Sequence, residues 1–136
     1  MNPTSATPSS LRDPKRTERV GAALAERLRP HEPAFVVCWD TSEDVVLAHV
    51  VARELGADLL LANEIEGIVA LEYALPDGAT VVLVAESLDS PTAVAGLAGV
   101  VDHAKARVAA VATAHGRVEV AGTRAEGAAV VTAEAA

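Results

Sequence analysis

Apolar and polar positions follow two periodicities along the chain, the continuous runs of buried strands and the 3.6-residue period of amphipathic helices. Continuous apolar runs, which are typical of strands covered on both faces, occur at 34–39, 58–62, 80–85 and 107–113. Helical patterns occur at 16–29, from the polar stretch 40–44 to about residue 55, and at 91–104. This alternation predicts one α/β domain with a parallel, Rossmann-like sheet, right-handed crossovers and helices on both faces.

The ends of the predicted helices carry capping signals. Thr17 is the expected N-cap of the first helix, and Thr41 or Ser42 is the expected N-cap of the second. Gly56 is expected to end the second helix in a left-handed conformation. Pro91 fits the first turn of the third helix, where a missing N–H costs nothing.

The margins of the sheet are less regular. Residues 63–67 are expected to form a turn, and 68–75 to form a third strand before the Pro76-Asp77-Gly78 turn. Two short β-like runs, 117–121 and 128–132, follow the last long strand. Residues 1–15 are rich in Pro, Ser and Thr, so we expect a disordered tail before a domain that spans 16–136.

Charge excludes one class of partner. The net charge is −8, and residues 31–136 hold five basic residues against sixteen acidic ones. Such a surface repels a phosphate backbone, so no nucleic-acid partner is expected. No apolar run approaches the ~20 residues of a membrane span, so no membrane partner is expected either. The single Cys38 excludes an internal disulfide, and with no apolar leader it favours the cytoplasm.

Polar residues follow two of the predicted strands at the edge where open α/β sheets bind ligands. After the central strand 80–85 come Glu86, Ser87, Asp89, Ser90 and Thr92. After the first strand come Asp40, Thr41 and Ser42. We therefore expect any ligand site to lie between these two loops.

From about residue 18 to 132, the chain resembles the type I phosphoribosyltransferases, and most of all their orotate branch. The family's strand-loop-helix is similar to residues 35–62, and Pro76-Asp77-Gly78 stands at its turn before the central strand. The helix shows the family's pattern of small and apolar residues, at Leu47, Ala48, Ala52, Glu54, Leu55 and Gly56. The resemblance implies the family's single-domain fold and a homodimer.

The family's signature is a buried strand, two acids, two apolar residues and Thr-x-Gly-Thr, and it falls on Val81 to Thr92. The resemblance implies a phosphoribosyl pyrophosphate (PRPP) site at Glu86, Ser87, Asp89, Ser90 and Thr92, and a pyrophosphate loop at Asp40, Thr41 and Ser42. For an active enzyme it implies Mg²⁺, held by Glu86 and Asp89.

The match is incomplete where phosphate would bind. Ala85 replaces the first acid, Asp89 the first Thr, and Pro91 the Gly. Pro91 has no N–H to donate, and a carboxylate ~4 Å from a phosphate charge costs about 4 kcal/mol at an effective dielectric near 20. The family's mobile hood carries basic catalytic residues between the second and third strands, but 63–67 is short and contains no Lys or Arg.

Three functions are compatible with this pattern. The first is a phosphoribosyltransferase-fold protein with impaired catalysis that acts by binding or self-association. The second is an active, Mg²⁺-dependent transferase of nucleotide or nucleobase metabolism. The third is a small acidic domain that binds a cation or cationic ligand through clustered carboxylates, namely Asp40, Glu43, Asp44, Glu86 and Asp89.

Overall fold

The computed structural model describes residues 12–133, which form three α-helices, a short 3-10 turn and six strands. The helices are α1 (Pro14–Leu28), α2 (Ser42–Leu55) and α3 (Pro91–His103), with the 3-10 turn at Arg29–His31. The strands are β1 (Phe35–Trp39), β2 (Asp58–Ile65), β3 (Ile68–Leu71), β4 (Thr80–Ala85), β5 (Arg107–Thr113) and β6 (Ala129–Thr132). The positions of β1, β4, β5, α2 and α3 are those that the hydrophobic pattern predicts.

The strands form one sheet in the order β3-β2-β1-β4-β5-β6. All neighbours are parallel except β2 and β3. The chain moves outward from β1 to β2 in one direction and from β4 to β5 in the other. The strand order therefore reverses between β1 and β4, and their carboxyl ends flank the crevice that this topology creates.

Two apolar layers hold the sheet between its helices. On one face α1 and α2 pack against β1 and β4, with Leu24 and Val51 in the same buried cluster as Val36. On the other face α3 places Val94 and Leu97 in a second cluster with β1 and β4. The α/β fold with helices on both faces is thereby confirmed.

The first helix begins earlier than predicted. Asp13 is its N-cap, because the Asp13 Oδ1 atom accepts the Arg16 N–H at 3.1 Å. The prediction that Thr17 caps the helix is wrong: Thr17 is buried in the first turn and its hydroxyl donates to the Asp13 carbonyl. Pro14 and Lys15, assigned to the tail, belong to α1. Residues 1–11 of the predicted tail lie outside the described residues.

The predicted parallel sheet has one antiparallel pair, at one edge. β2 continues to Ile65, and β3 returns antiparallel to it after a turn of only two residues. Both turn residues, Glu66 and Gly67, have positive φ angles, 51° and 81°. A turn with two positive φ angles matches the twist of a hairpin. The sequence does not predict this two-residue turn, because Glu is an unusual residue in a left-handed conformation.

Two further boundaries differ from the prediction. β3 ends at Leu71 instead of 75, and 117–121 is irregular, whereas the run at 128–132 forms β6. Within the described range, no helix is long and apolar enough to cross a bilayer.

Candidate functional site

The crevice at the carboxyl ends of β1 and β4 contains a cavity of about 450 Å³. Six residues line it: Thr41, Ser42, Glu43, Asp44, Glu86 and Ser87. The β1–β4 register pairs Val37 with Leu83, and its continuation places the loop after Trp39 beside the loop after Ala85. The structure thus brings together the two polar loops that the sequence placed at one edge of the sheet.

Glu86 is the best-buried acid of the cavity, with 5% of its surface exposed. Its backbone N–H donates to Asp44 Oδ1 at 2.8 Å. Its carboxylate Oε2 lies 3.6 Å from Arg16 Nη2 and 3.7 Å from His115 Nε2. The carboxylate therefore connects the loop after β4 to α1 and to the segment after β5, in the interior of the molecule.

Arg16 and His115 are contacts of Glu86 that lie outside the two loops expected to form the site. Arg16 lies four residues before Val20 and eight before Leu24, on the helix face that packs against the body. The position of Arg16 on the apolar face of α1 could have indicated this contact, since a buried charge requires a partner of opposite charge. His115 gave no comparable signal, because the loop after β5 has no periodic pattern.

Asp44 is the second buried acid, with 8% exposed surface. Burial raises its pKa, while the hydrogen bonds from the Glu86 N–H and the Thr41 side chain act in the opposite direction. Its position in the first turn of α2 also suits the helix dipole. Asp44 therefore holds the loop after β4 against the start of α2.

Substitution of Asp44 separates its hydrogen bond from its charge. Asp44→Ala leaves the Glu86 N–H without its acceptor, so we expect a loss of about 2 kcal/mol in the free energy of unfolding. Asp44→Asn keeps an oxygen acceptor and removes the buried charge. Chemical denaturation of the wild type and the two variants measures the contributions of the hydrogen bond and of the charge. An equal loss of unfolding free energy in both variants would contradict the hydrogen-bonding role of Asp44.

The pH dependence of Asp44→Asn has a defined sign. A pKa raised in the folded protein favours the protonated form, so wild-type stability rises as pH falls from that raised value towards the ordinary 3.8. Asn cannot titrate, so the stability of the variant relative to wild type should increase from acidic to neutral pH. Denaturation across that range tests the sign.

The remaining residues of the expected PRPP loop lie outside this cavity. Asp89, Ser90 and Thr92 are exposed, and the two hydroxyls are 2.7 Å apart. A Cβ atom added to Gly116 would lie 2.5 Å from Asp89 Oδ1, so Asp89 packs closely on the segment after β5. Thr92 borders a separate recess of about 270 Å³ with Trp39 and two other residues.

Trp39 covers the first turns of α3. Its indole Nε1 donates to the Ala93 carbonyl at 3.2 Å, and its ring carbons lie 3.0 Å from where a Gly96 Cβ would stand. At the helix end, Pro91 occupies the first turn and the Ser90 side chain makes no capping bond. The first turns of α3 therefore pack against Trp39.

Of the two residues that the resemblance implied for Mg²⁺, Glu86 already has a cationic neighbour, because Arg16 Nη2 lies 3.6 Å from its carboxylate. Glu86 is directed towards Arg16 and His115, whereas Asp89 lies against Gly116. Within residues 12–133, no three His, Cys, Asp or Glu side chains are grouped closely enough to hold a metal ion. Cys38 is buried nearby, and burial raises the pKa of its thiol to about 12, so it is unreactive.

Known structures resemble this architecture at low sequence identity. An adenine phosphoribosyltransferase from Saccharomyces cerevisiae, solved with an imino-altritol bisphosphate and adenine, has a TM-score of 0.73 at 14% identity, covering 90% of this chain and 81% of its own. An orotate phosphoribosyltransferase from Aeropyrum pernix has a TM-score of 0.68 at 18% identity, covering 92% of this chain and 76% of its own. A hypothetical protein from Neisseria gonorrhoeae with bound ppGpp has a TM-score of 0.67 at 19% identity, covering 88% of this chain and 78% of its own. The chain matches no sequence-family profile and no curated protein.

Proposed function

Since the chain has the fold of the type I phosphoribosyltransferases, we propose that it is a member of this fold without transferase activity, which acts by binding other protein chains or a second copy of itself. The expected homodimer and the cytoplasmic location are parts of this proposal. They rest on the sequence resemblance and on the single, buried Cys38.

The observation that carries the proposal is the position of Glu86. It is the acid of the signature that this chain retains, and it is 5% exposed, beside Arg16 and His115. The neighbouring position, where the family has its other acid, is Ala85, which is fully buried. The family's pair of adjacent acids is therefore reduced here to the single carboxylate of Glu86.

The charge of the cavity also opposes a polyphosphate ligand. Glu43, Asp44 and Glu86 all line it, and none of its six lining residues is basic. The gonococcal protein shows that a protein of similar architecture can bind ppGpp, but here a highly anionic ligand in the cavity would lie beside three acidic side chains. The same lining supports a second candidate, the binding of a positively charged group.

A thermal-shift titration tests the absence of PRPP binding. A ligand at about 100 times its dissociation constant stabilises by roughly 2.7 kcal/mol, which raises Tm by several degrees. We expect no shift with PRPP, with or without MgCl2, and no pyrophosphate release in the presence of adenine or orotate.

Each arm of the titration has a separate meaning. A shift that requires both PRPP and MgCl2, with pyrophosphate release, would refute the proposal and establish a transferase. A shift with MgCl2 alone would favour the cation-binding candidate. An active adenine phosphoribosyltransferase, run in parallel, verifies the ligand and the assay.

A further inference from the structure

The β3 edge of the sheet has the features of a binding surface for an extended chain. β3 is the outermost strand at one of the two edges of the sheet, and within residues 12–133 no other strand pairs with its outer side. The Glu72 N–H donates to the Leu61 carbonyl, which fixes the alternation of hydrogen-bonded pairs along the hairpin. By that alternation the N–H and C=O groups of Val69 and Leu71 point away from β2.

Apolar surface lies on both faces of this edge. On the α3 face, a groove of about 510 Å³ runs between β3 and α3. Its apolar lining includes Val69, Leu71, Leu75, Val100 and Ala104. On the opposite face none of the helices in the described part of the chain covers Ile65 and Ile68, which are 69% and 70% exposed. Exposed apolar surface around an open strand edge is typical of a place where another chain adds.

The charges around the β3 edge indicate which type of polypeptide segment could bind there. Glu66 lies in the hairpin turn and Glu72 directly follows β3, and both are exposed. No Lys or Arg occurs between Arg53 and Lys105, and apart from His103 the residues that line the groove carry only acidic and neutral side chains. A second copy paired through β3 would bring these glutamates against each other, whereas a basic segment would complement them.

We propose that the outer edge of β3 binds an extended segment of another protein in which apolar and basic side chains alternate. The segment adds to the sheet as a seventh strand, through main-chain hydrogen bonds to Val69 and Leu71. Its apolar side chains enter the groove beside α3. Its basic side chains extend over Ile68 on the other face, with their charges near Glu66 and Glu72. This inference deepens the proposed binding role and names the class of partner.

The direct probe is a fluorescein-labelled heptapeptide, acetyl-KVKVKVK-amide, titrated with the whole protein at low ionic strength. We expect saturable binding by anisotropy, and amide shifts in ¹⁵N-labelled protein that centre on β3 and its flanks. A peptide of the same composition in the order KKKKVVV, and the acidic EVEVEVE, should bind at least about tenfold more weakly, since neither places apolar and basic side chains on opposite faces.

Two matched variants locate the site. Ile68→Lys adds a positive charge at β3, and Val130→Lys makes a similar change at an exposed position on β6, the opposite edge of the sheet. We expect Ile68→Lys to weaken binding of the alternating peptide about tenfold or more, and Val130→Lys to change it by less than about twofold. Circular dichroism verifies that both variants fold.

The proposal is overturned if wild type does not bind the alternating peptide, if the permuted peptide binds equally well, or if both variants weaken binding equally. It is also overturned if wild type is a dimer that Ile68→Lys dissociates, because β3 is then covered by a second copy. None of these measurements uses PRPP. A negative result here would therefore overturn only the peptide-binding proposal, whereas a positive PRPP titration would show transferase activity and refute the proposed function.

Discussion

Replacing Glu86 with alanine is expected to lower the free energy of unfolding by about 3 kcal/mol, because removing one partner of a buried ion pair leaves the other charge uncompensated. Arg16 is that other charge, with 15% of its side chain exposed against 7% for Glu86. Urea denaturation followed by circular dichroism measures the loss.

The double variant Arg16→Met/Glu86→Met is the control for this interpretation. Exchange of both charges for apolar side chains of similar size is often neutral or stabilising. We therefore expect it to recover most of the stability that Glu86→Ala loses. If instead Glu86→Ala is as stable as wild type, the carboxylate has no structural role, and its burial would no longer argue against ligand binding.

Replacing Gly21 with alanine is expected to destabilise the protein by about 2 kcal/mol, although alanine is the better helix former by about 1 kcal/mol. Gly21 lies where α1 crosses α2, and a Cβ atom there would meet the Val50 Cβ at 2.9 Å and approach its Cγ1 still more closely. The Val50 Cβ is fixed to the α2 backbone, so the two helices must move apart. Chemical denaturation measures the change.

Gly99 provides the matched control for the same substitution. It lies inside α3, and a Cβ added there meets no atom within 4 Å. Gly99→Ala should therefore stabilise the protein by about 0.5–1 kcal/mol. In Gly21→Ala, a second change of Val50→Ala should restore part of the loss. Two Gly→Ala variants with the same sign would contradict the close-packing explanation.

The parts of the fold that the sequence predicts well are those with the strongest periodic signal. β4 and β5 have the predicted bounds, and α2 starts and ends where its polar start and Gly56 indicate. These elements are predictable because burial on both faces of a central strand requires a continuous apolar run. The bounds and the antiparallel pairing of β2 and β3 were not predicted, because their half-exposed residues and the Glu66-Gly67 turn give a weak local signal.

The candidate site was predictable in location but not in arrangement. Topology alone places the loops after β1 and β4 together, so Thr41, Ser42, Glu86 and Ser87 were expected as neighbours and line one cavity. The direction of each side chain depends on contacts between residues far apart in the chain. Arg16 is seventy positions from Glu86, and no local pattern relates them.

The sequence by itself determined the α/β class, the order of the main elements and the edge of the sheet where polar residues collect. These follow from periodicity and from the chirality of crossovers, which are local or generic properties of the chain. Only the tertiary structure decided that Glu86 is turned inward and that β3 leaves an open acidic edge with apolar faces. Both depend on which distant groups share a buried or exposed environment, and the free energy of a charge or an apolar surface is set by that environment.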